Sequence, residues 1–162
     1  MYNKILVPLD GSELAECSLE HVKKMASGGG VSEVILLRVV EPIAPNDAVP
    51  WVQANYTIAD VQRIRRDEAK EYLKIAADNL IKAGLPARGE VIDGRAAESI
   101  IDYAREHQID LILISSHGRS GIVRWALGSV ADRVLRHSTI PTLLITPPGC
   151  RAENPATPVS PR

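Results

Sequence analysis

The chain has 162 residues, which is enough for one domain with a substantial core, and 45% of them are hydrophobic. Its 19 basic and 20 acidic side chains give a net charge of −1, which argues against binding to nucleic acid or anionic membranes through overall positive charge. No apolar run approaches the roughly 20 residues of a membrane-spanning helix. Pro8 and Asp10 also end the N-terminal apolar run too early for a signal peptide. We therefore expect a cytoplasmic protein with neither a nucleic-acid nor a membrane partner.

The N-terminal part of the chain predicts two buried strands with a helix between them. Residues 4–9 form the first apolar run, and the turn that follows leads into a helix with Ser12 as its N-cap. Glycines at 28–30 end this helix, and residues 34–40 form the second strand, with Arg38 as an unexplained charge inside it. Both strands are apolar on both faces, which is typical of a parallel sheet covered on two sides.

The middle of the chain predicts a long connection and a long helix. Residues 42–56 suit a lid or partner surface, or equally an exposed spacer. The helix runs from near Asp60 to Ala83, where Gly84 and Pro86 terminate it. We interpret its charged side chains as a solvent-exposed face. They include Arg63, Arg65, Arg66, Asp67, Glu68 and Lys70.

The remaining elements continue the alternation of strands and helices. They are a strand at 87–92, a helix at 97–107, a strand at 111–114, a helix over Ser129–His137 and a strand at 141–146. The alternation predicts an α/β fold with a doubly wound parallel sheet and helices on both faces. Residues 148–162 are rich in proline and lack a periodic apolar set, so we expect a disordered tail after a single domain of residues 1–147.

A glycine-rich segment after the fourth strand predicts a phosphate site. The run from Ser115 to Gly121 follows a buried strand, and nine residues separate Gly118 from Gly128, which comes just before a helix. Glycine lets the backbone approach a bulky anion, and a helix N-terminus offers unpaired N–H groups to it. The alternative is a loop whose glycines merely turn the chain, with Ser129 as the N-cap of the helix.

These residues carry a family resemblance. The segment 115–146, together with 7–12, resembles the nucleotide-binding branch of the universal stress protein A family, whose pattern is Gly-x-x-Gly, nine residues, then Gly-Ser or Gly-Thr. Ser115 stands where that pattern has its first glycine, and the resemblance covers about residues 3–147. It implies a flavodoxin-like, adenine-nucleotide-hydrolase-like three-layer sandwich of five strands in the order 3-2-1-4-5. It also implies a homodimer through the edge strand from Thr142 to Thr146.

In that strand order, two distant segments converge on one crevice. Asp10 follows strand one and Ser115 ends strand four, and ligands of doubly wound sheets bind where the strand order reverses. A carboxylate at Asp10 suits ribose hydroxyls or a metal, although it could instead cap the following helix. The resemblance also implies an adenine slot at the first two strand ends. The candidate site residues are Pro8, Leu9, Asp10, Val39, Ser115, His117, Gly118, Arg119, Gly121, Gly128, Ser129 and Val130.

The sequence and the resemblance together favour an adenine-nucleotide-binding sensor or regulator of the stress response. ATP is the favoured ligand, with AMP and cyclic AMP open, and Mg²⁺ or Mn²⁺ could be shared between phosphates and protein. His117 lacks a recognisable nucleophile partner, and the loop has neither a P-loop lysine nor a nucleophile elbow, so we assign no catalytic residue. The alternatives are a slow ATPase or phosphotransferase, and a dimeric stress module that binds no nucleotide.

Overall fold

A computed structural model of the chain describes residues 2–26, 28–44, 56–116 and 128–146. The predicted tail, most of the 42–56 connection and four candidate site residues lie outside these ranges. Those four are His117, Gly118, Arg119 and Gly121. Within the described ranges, no helix is both long enough and apolar enough to cross a membrane.

The described strands form one parallel sheet with the order β3-β2-β1-β4-β5, which confirms the predicted fold class and strand order. Each strand begins and ends within two residues of its predicted position. The strands are β1 (Lys4–Pro8), β2 (Glu33–Val40), β3 (Ala87–Asp93), β4 (Leu111–Ser115) and β5 (Thr142–Ile145).

Four helices of the described residues connect these strands, and the first two begin with a side-chain cap. They are α1 (Glu13–Ala26), α2 (Ile58–Lys82), α3 (Ala96–Glu106) and α4 (Ser129–His137). Ser12 is the N-cap that its position predicts, because its Oγ accepts a hydrogen bond from the Ala15 N–H at 3.1 Å. A capping box between Thr57 and Asp60 begins α2 slightly earlier than predicted. Gly84, at φ +83°, ends α2 in a left-handed turn.

The helices cover the sheet in two layers. Ile5 and Val7 of β1 face α1 and α2, whereas the intervening Leu6 faces α3 and α4, so each face of the sheet has its own buried apolar cluster. Because α2 follows β2 and α4 follows β4, both helices begin at the carboxyl edge of the sheet. They lie on opposite faces of the sheet, which leaves a space between the middle of α2 and the first turn of α4.

Candidate functional site

A cleft of about 800 Å³ opens at this carboxyl edge, where the strand order reverses between β1 and β4. The ends of β1, β2 and β4 form its floor, and residues at the starts of α1, α3 and α4 and in the middle of α2 form its sides. All eight described candidates line it. They are Pro8, Leu9, Asp10, Val39, Ser115, Gly128, Ser129 and Val130. Segments about a hundred positions apart in the sequence therefore meet in one cleft.

The turn after β1 fixes the position of Asp10. The Leu9 N–H donates to the Leu37 carbonyl at 2.9 Å, which extends the pairing of β1 with β2 beyond Pro8. Asp10 Oδ1 then accepts hydrogen bonds from the Ser12 N–H at 3.0 Å and from Ser12 Oγ at 2.6 Å. Since Ser12 caps α1, Asp10 supports the helix start through this serine.

Asp10 nevertheless keeps a free acceptor. Its second oxygen, Oδ2, makes no hydrogen bond with any part of the chain that the structure describes. The side chain lines the cleft and is only half-buried. The carboxylate can thus support α1 with one oxygen and accept a hydrogen bond from a ligand with the other.

The start of α4 presents backbone donors to the cleft. Gly128 is its N-cap and has no side chain to accept a hydrogen bond from the first turn. The Gly128 N–H itself donates to the Ser116 carbonyl at 2.5 Å, which fixes the entry to the helix beside β4. The N–H groups of Ser129 and Val130 come next, in the positively polarised first turn where an anion is stabilised.

The start of α3 differs from that of α4, although both border the cleft. Arg95 is the N-cap of α3 and its side chain makes no capping bond, but the Glu41 carboxylate accepts a hydrogen bond from the Ala96 N–H at 3.2 Å. A carboxylate thus already occupies this helix end and disfavours a second anion there. Of these two helix starts, α4 is the one open to an anionic ligand.

Ser115 fits its position as an ordinary strand residue. It ends β4 and pairs with Ile145 of β5, and among the described non-glycine residues only Gln108 has a positive φ. A glycine is therefore not required at 115 for backbone reasons. Its replacement by serine leaves the strand end beside the cleft intact.

Arg38, the unexplained charge in β2, supports the floor of the cleft. Its Nη1 donates to the Leu9 carbonyl at 3.2 Å, and its guanidinium lies on the sheet face that carries α1 and α2. A Cβ added at Gly11 would lie 3.6 Å from the same Nη1, and Gly11 has a φ of +78° that disfavours other residues. Arg38 thus holds the strand end and the turn after it in place.

One whole side of the cleft was not predicted from the sequence. We call this side the α2 wall, and it consists of Arg65, Glu68, Ala69 and Tyr72. Arg65 and Glu68 are exposed, as predicted for a solvent-exposed face, and in addition they border the cleft. Their spacing beside the buried Ala69, at positions 65, 68 and 72, was the available signal, since such residues share one side of a helix.

Tyr72 is the least exposed polar side chain of the α2 wall. Burial raises the pKa of its phenol well above the usual range, and the Glu16 carboxylate raises it further. The phenol is therefore protonated at all physiological pH values and can donate a hydrogen bond.

The described residues hold no group of three or more histidine, cysteine, aspartate or glutamate side chains suited to a metal ion. Asp10 and Glu41 are the carboxylates that line the cleft at the described strand ends, and Glu41 already accepts a hydrogen bond from the Ala96 N–H. The described residues therefore do not build a complete metal site of their own.

Comparisons with known proteins fit this geometry. The family model of the universal stress proteins matches residues 1–146. The chain belongs to the universal stress protein family. A relative, the universal stress protein MJ0577 of Methanocaldococcus jannaschii, is 30% identical over 155 residues, which cover 90% of this chain and 95% of that protein. The solved structure of MJ0577 gives a TM-score of 0.77 at 29% identity, covering 90% of this chain and 96% of that one.

Two further solved structures share the fold and contain nucleotides. A universal stress protein from Archaeoglobus fulgidus in complex with dAMP gives a TM-score of 0.62 at 24% identity, over 88% of this chain and 97% of that one. A universal stress protein in complex with cAMP gives 0.63 at 21% identity, over 90% and 97%. These similarities show that the same fold occurs in universal stress proteins whose structures contain dAMP or cAMP.

Proposed function

We propose that this universal stress protein binds an adenine nucleotide, foremost ATP, and acts in the cytoplasm as a sensor or regulator of the stress response. The observation that carries the proposal is the uncapped N-terminus of α4 at Gly128, which faces a cleft of about 800 Å³ that also contains the free oxygen of Asp10. This volume lies within the range of small-molecule sites, roughly 300–1,000 Å³. The dAMP and cAMP complexes of related folds support an adenine nucleotide as the ligand.

Each part of the nucleotide has a place in this proposal. The phosphates lie at the first turn of α4, at Gly128, Ser129 and Val130, where backbone N–H groups and the Ser129 hydroxyl donate to them. The candidates in the preceding segment, Ser115, His117, Gly118, Arg119 and Gly121, complete the phosphate site. The ribose lies at Asp10, and the adenine packs against Pro8, Leu9 and Val39.

A divalent cation, Mg²⁺ or Mn²⁺, fits this arrangement only together with the nucleotide. Mg²⁺ is commonly held by one or two carboxylates plus substrate phosphates and water. Asp10 can supply one carboxylate oxygen next to the phosphates. We therefore expect metal binding to depend on ATP.

The protein acts chiefly by binding. The described cleft residues form no pair of a nucleophile and a base, and His117 lies outside the described residues. We expect ATP turnover far below a typical enzyme rate of about 10 per second. Fast turnover that disappears in His117→Ala would instead support the ATPase or phosphotransferase alternative.

The test is direct. We expect the purified protein to release an adenine nucleotide on denaturation, which chromatography and mass spectrometry identify, and to bind ATP in calorimetry once emptied. Parallel titrations with AMP and cyclic AMP rank the three ligands. A protein that carries no nucleotide and gives no binding signal with any of the three contradicts the proposal and favours the nucleotide-free stress module.

We also propose that the protein is a homodimer through β5. β5 is an edge strand, and Leu143 on it is 39% exposed, whereas the opposite edge strand β3 carries the charged Arg88 and Glu90. Charged side chains protect an edge from pairing, and an apolar edge invites it. Antiparallel pairing of Thr142 to Thr146 with its own copy gives a closed two-fold dimer. Light scattering tests this, and a monomer at micromolar concentration contradicts it.

A further inference from the structure

The Tyr72 hydroxyl in the α2 wall is buried without a hydrogen-bond partner. Its oxygen has less than 1 Å² of accessible surface and makes no hydrogen bond within the described chain. The Glu16 carboxylate lies near the Tyr72 hydroxyl, and both its charge and its hydrogen-bonding capacity raise the Tyr72 pKa, but the two groups do not meet hydrogen-bond geometry. An unsatisfied buried hydroxyl is costly, and buried tyrosines ordinarily have a partner. Such an orphaned donor beside a cleft indicates a group that a ligand satisfies.

The position of Tyr72 limits which part of a ligand it can meet. Tyr72 packs against the apolar cluster under α1 and α2, whereas Ala131 in the first turns of α4 belongs to the cluster on the other face of the sheet. The two helices therefore border the cleft from opposite sides, with the ends of β1 and β2 between them. The cleft continues from the first turn of α4 to the α2 wall, so a nucleotide whose phosphates lie at α4 has room for its nucleoside half beside Asp10 and Tyr72.

The immediate neighbours of Tyr72 favour a neutral ligand group. Asp10 and Glu16 raise the pKa of the phenol, and Arg38 lowers it, so acidic and basic side chains both lie close to it. Arg38 already donates to the Leu9 carbonyl. A phosphate without a bound cation would be repelled by the carboxylates of Asp10 and Glu16, whereas a ring nitrogen or a ribose oxygen only needs a donor.

We propose that the Tyr72 hydroxyl donates a hydrogen bond to the nucleoside half of the bound nucleotide and so helps to determine which nucleoside the cleft accepts. This inference rests on the proposed function, because it takes the phosphates to lie at α4. It adds the α2 wall, which the glycine-rich motif does not include, to the site.

The experiment compares Tyr72→Phe with Tyr103→Phe in the full-length protein. Both remove one hydroxyl from a largely buried tyrosine, but the Tyr103 hydroxyl accepts a hydrogen bond from Arg88 at 3.4 Å and does not line the cleft. We expect Tyr72→Phe to weaken ATP binding about three- to tenfold in calorimetry, with an unchanged or raised melting temperature. We expect Tyr103→Phe to retain ATP affinity and to lower the melting temperature.

The same titrations with AMP, ADP and ATP locate the contact. If the hydroxyl contacts the nucleoside end, Tyr72→Phe weakens the binding of AMP, ADP and ATP by the same factor, because the number of phosphates does not change that contact. A loss of affinity that grows with each added phosphate overturns the proposal. So does a folded Tyr72→Phe with normal affinity, whether its stability is unchanged or lowered. Failure of the unmutated protein to bind any of the three is distinguishable, because it rejects the proposed function itself.

Discussion

The two sides of the cleft are built from different parts of the chain. The α4 side offers backbone N–H groups at Gly128 and the residues after it, whereas the α2 wall offers side chains, chiefly Tyr72. A backbone site requires small residues at fixed spacing, which leaves a pattern in the sequence. A side-chain site on a helix requires only that one stripe face the cleft, and this depends on how the helix packs. The difference explains why one side was predictable and the other was not.

The largest expected effect comes from blocking the α4 side. Gly128 has φ −60° and ψ 144°, an extended conformation that valine adopts without strain, and its N–H to Ser116 survives substitution. Gly128→Val should therefore fold, but its side chain should occupy space meant for phosphate. We expect ATP affinity to fall more than tenfold, roughly 1.4 kcal/mol, in calorimetry.

Gly128→Ala serves as the graded control for this variant. The smaller side chain should give a smaller loss of affinity with a similar melting temperature. Normal ATP affinity in a folded Gly128→Val protein contradicts the placement of phosphate at α4.

The α2 side can be disturbed without touching the cleft. A Cβ added at Gly89 of β3 would lie 2.7 Å from the Leu73 Cβ, and Leu73 directly follows Tyr72. Gly89→Ala must therefore displace α2 or β3, and we expect a loss of about 1–3 kcal/mol in the free energy of unfolding by chemical denaturation. If the α2 wall contacts the ligand, ATP affinity falls as well.

Gly28→Ala is the matched control for Gly89→Ala. Its added Cβ would lie 3.9 Å from the nearest atom, the Met25 carbonyl oxygen, which is ordinary contact. Its stability and ATP affinity should stay close to those of the unmutated protein. An equally small effect of Gly89→Ala would show that α2 is not held tightly at this point.

The sequence predicted the fold and the strand-end part of the cleft for one physical reason. Buried parallel strands are continuous apolar runs, and residues directly after them must lie at the carboxyl edge, as Asp10 does. The strand order itself came from the family resemblance. That Arg65 and Glu68 border the cleft could not be predicted, because charges at helical spacing are equally typical of a solvent-exposed surface. Arg38 likewise required the turn after β1 to be in place before its partner, the Leu9 carbonyl, was evident.

Asp10 lies between the two sides of the cleft and has two proposed roles: it supports the start of α1, and it accepts a hydrogen bond from the ligand. Two different substitutions should separate these roles. Asp10→Ala removes the acceptor for Ser12 and the free oxygen together, and we expect both weaker ATP binding and a loss of around 1 kcal/mol in stability. Asp10→Asn keeps an oxygen that can accept from Ser12 but lacks the charge. It should retain stability and still bind ATP less tightly.

Calorimetry and thermal unfolding of the two Asp10 variants separate these roles. Normal ATP affinity in both, together with a lowered melting temperature for Asp10→Ala, would restrict Asp10 to supporting α1.

The smallest expected effect comes from the amino edge of the sheet, opposite the cleft, and should leave the cleft unaffected. Asp110 precedes β4, and its Oδ2 accepts hydrogen bonds from the Asn3 N–H at 3.0 Å and the Lys4 N–H at 2.8 Å. These backbone bonds hold the pKa of Asp110 below its ordinary value of 3.8. A carboxylate with a lowered pKa stabilises the fold above its unfolded-state pKa, and this stabilisation is lost as the pH falls through its folded-state pKa. Asp110→Asn should thus be less stable than the unmutated protein at neutral pH, and the difference should shrink below about pH 4.

Denaturant unfolding at a series of pH values tests this, with Asp78→Asn as the control. Asp78 is an exposed carboxylate of α2 that makes no hydrogen bond or ion pair within the described residues. Asp78→Asn should not show a loss of stability at neutral pH that disappears at acidic pH. Because Asp110 lies at the amino edge of the sheet and the cleft at the carboxyl edge, ATP affinity at neutral pH should be the same in both variants. A loss of affinity in Asp110→Asn would mean that the two edges are coupled, so that the sheet does not isolate the cleft from its distant end.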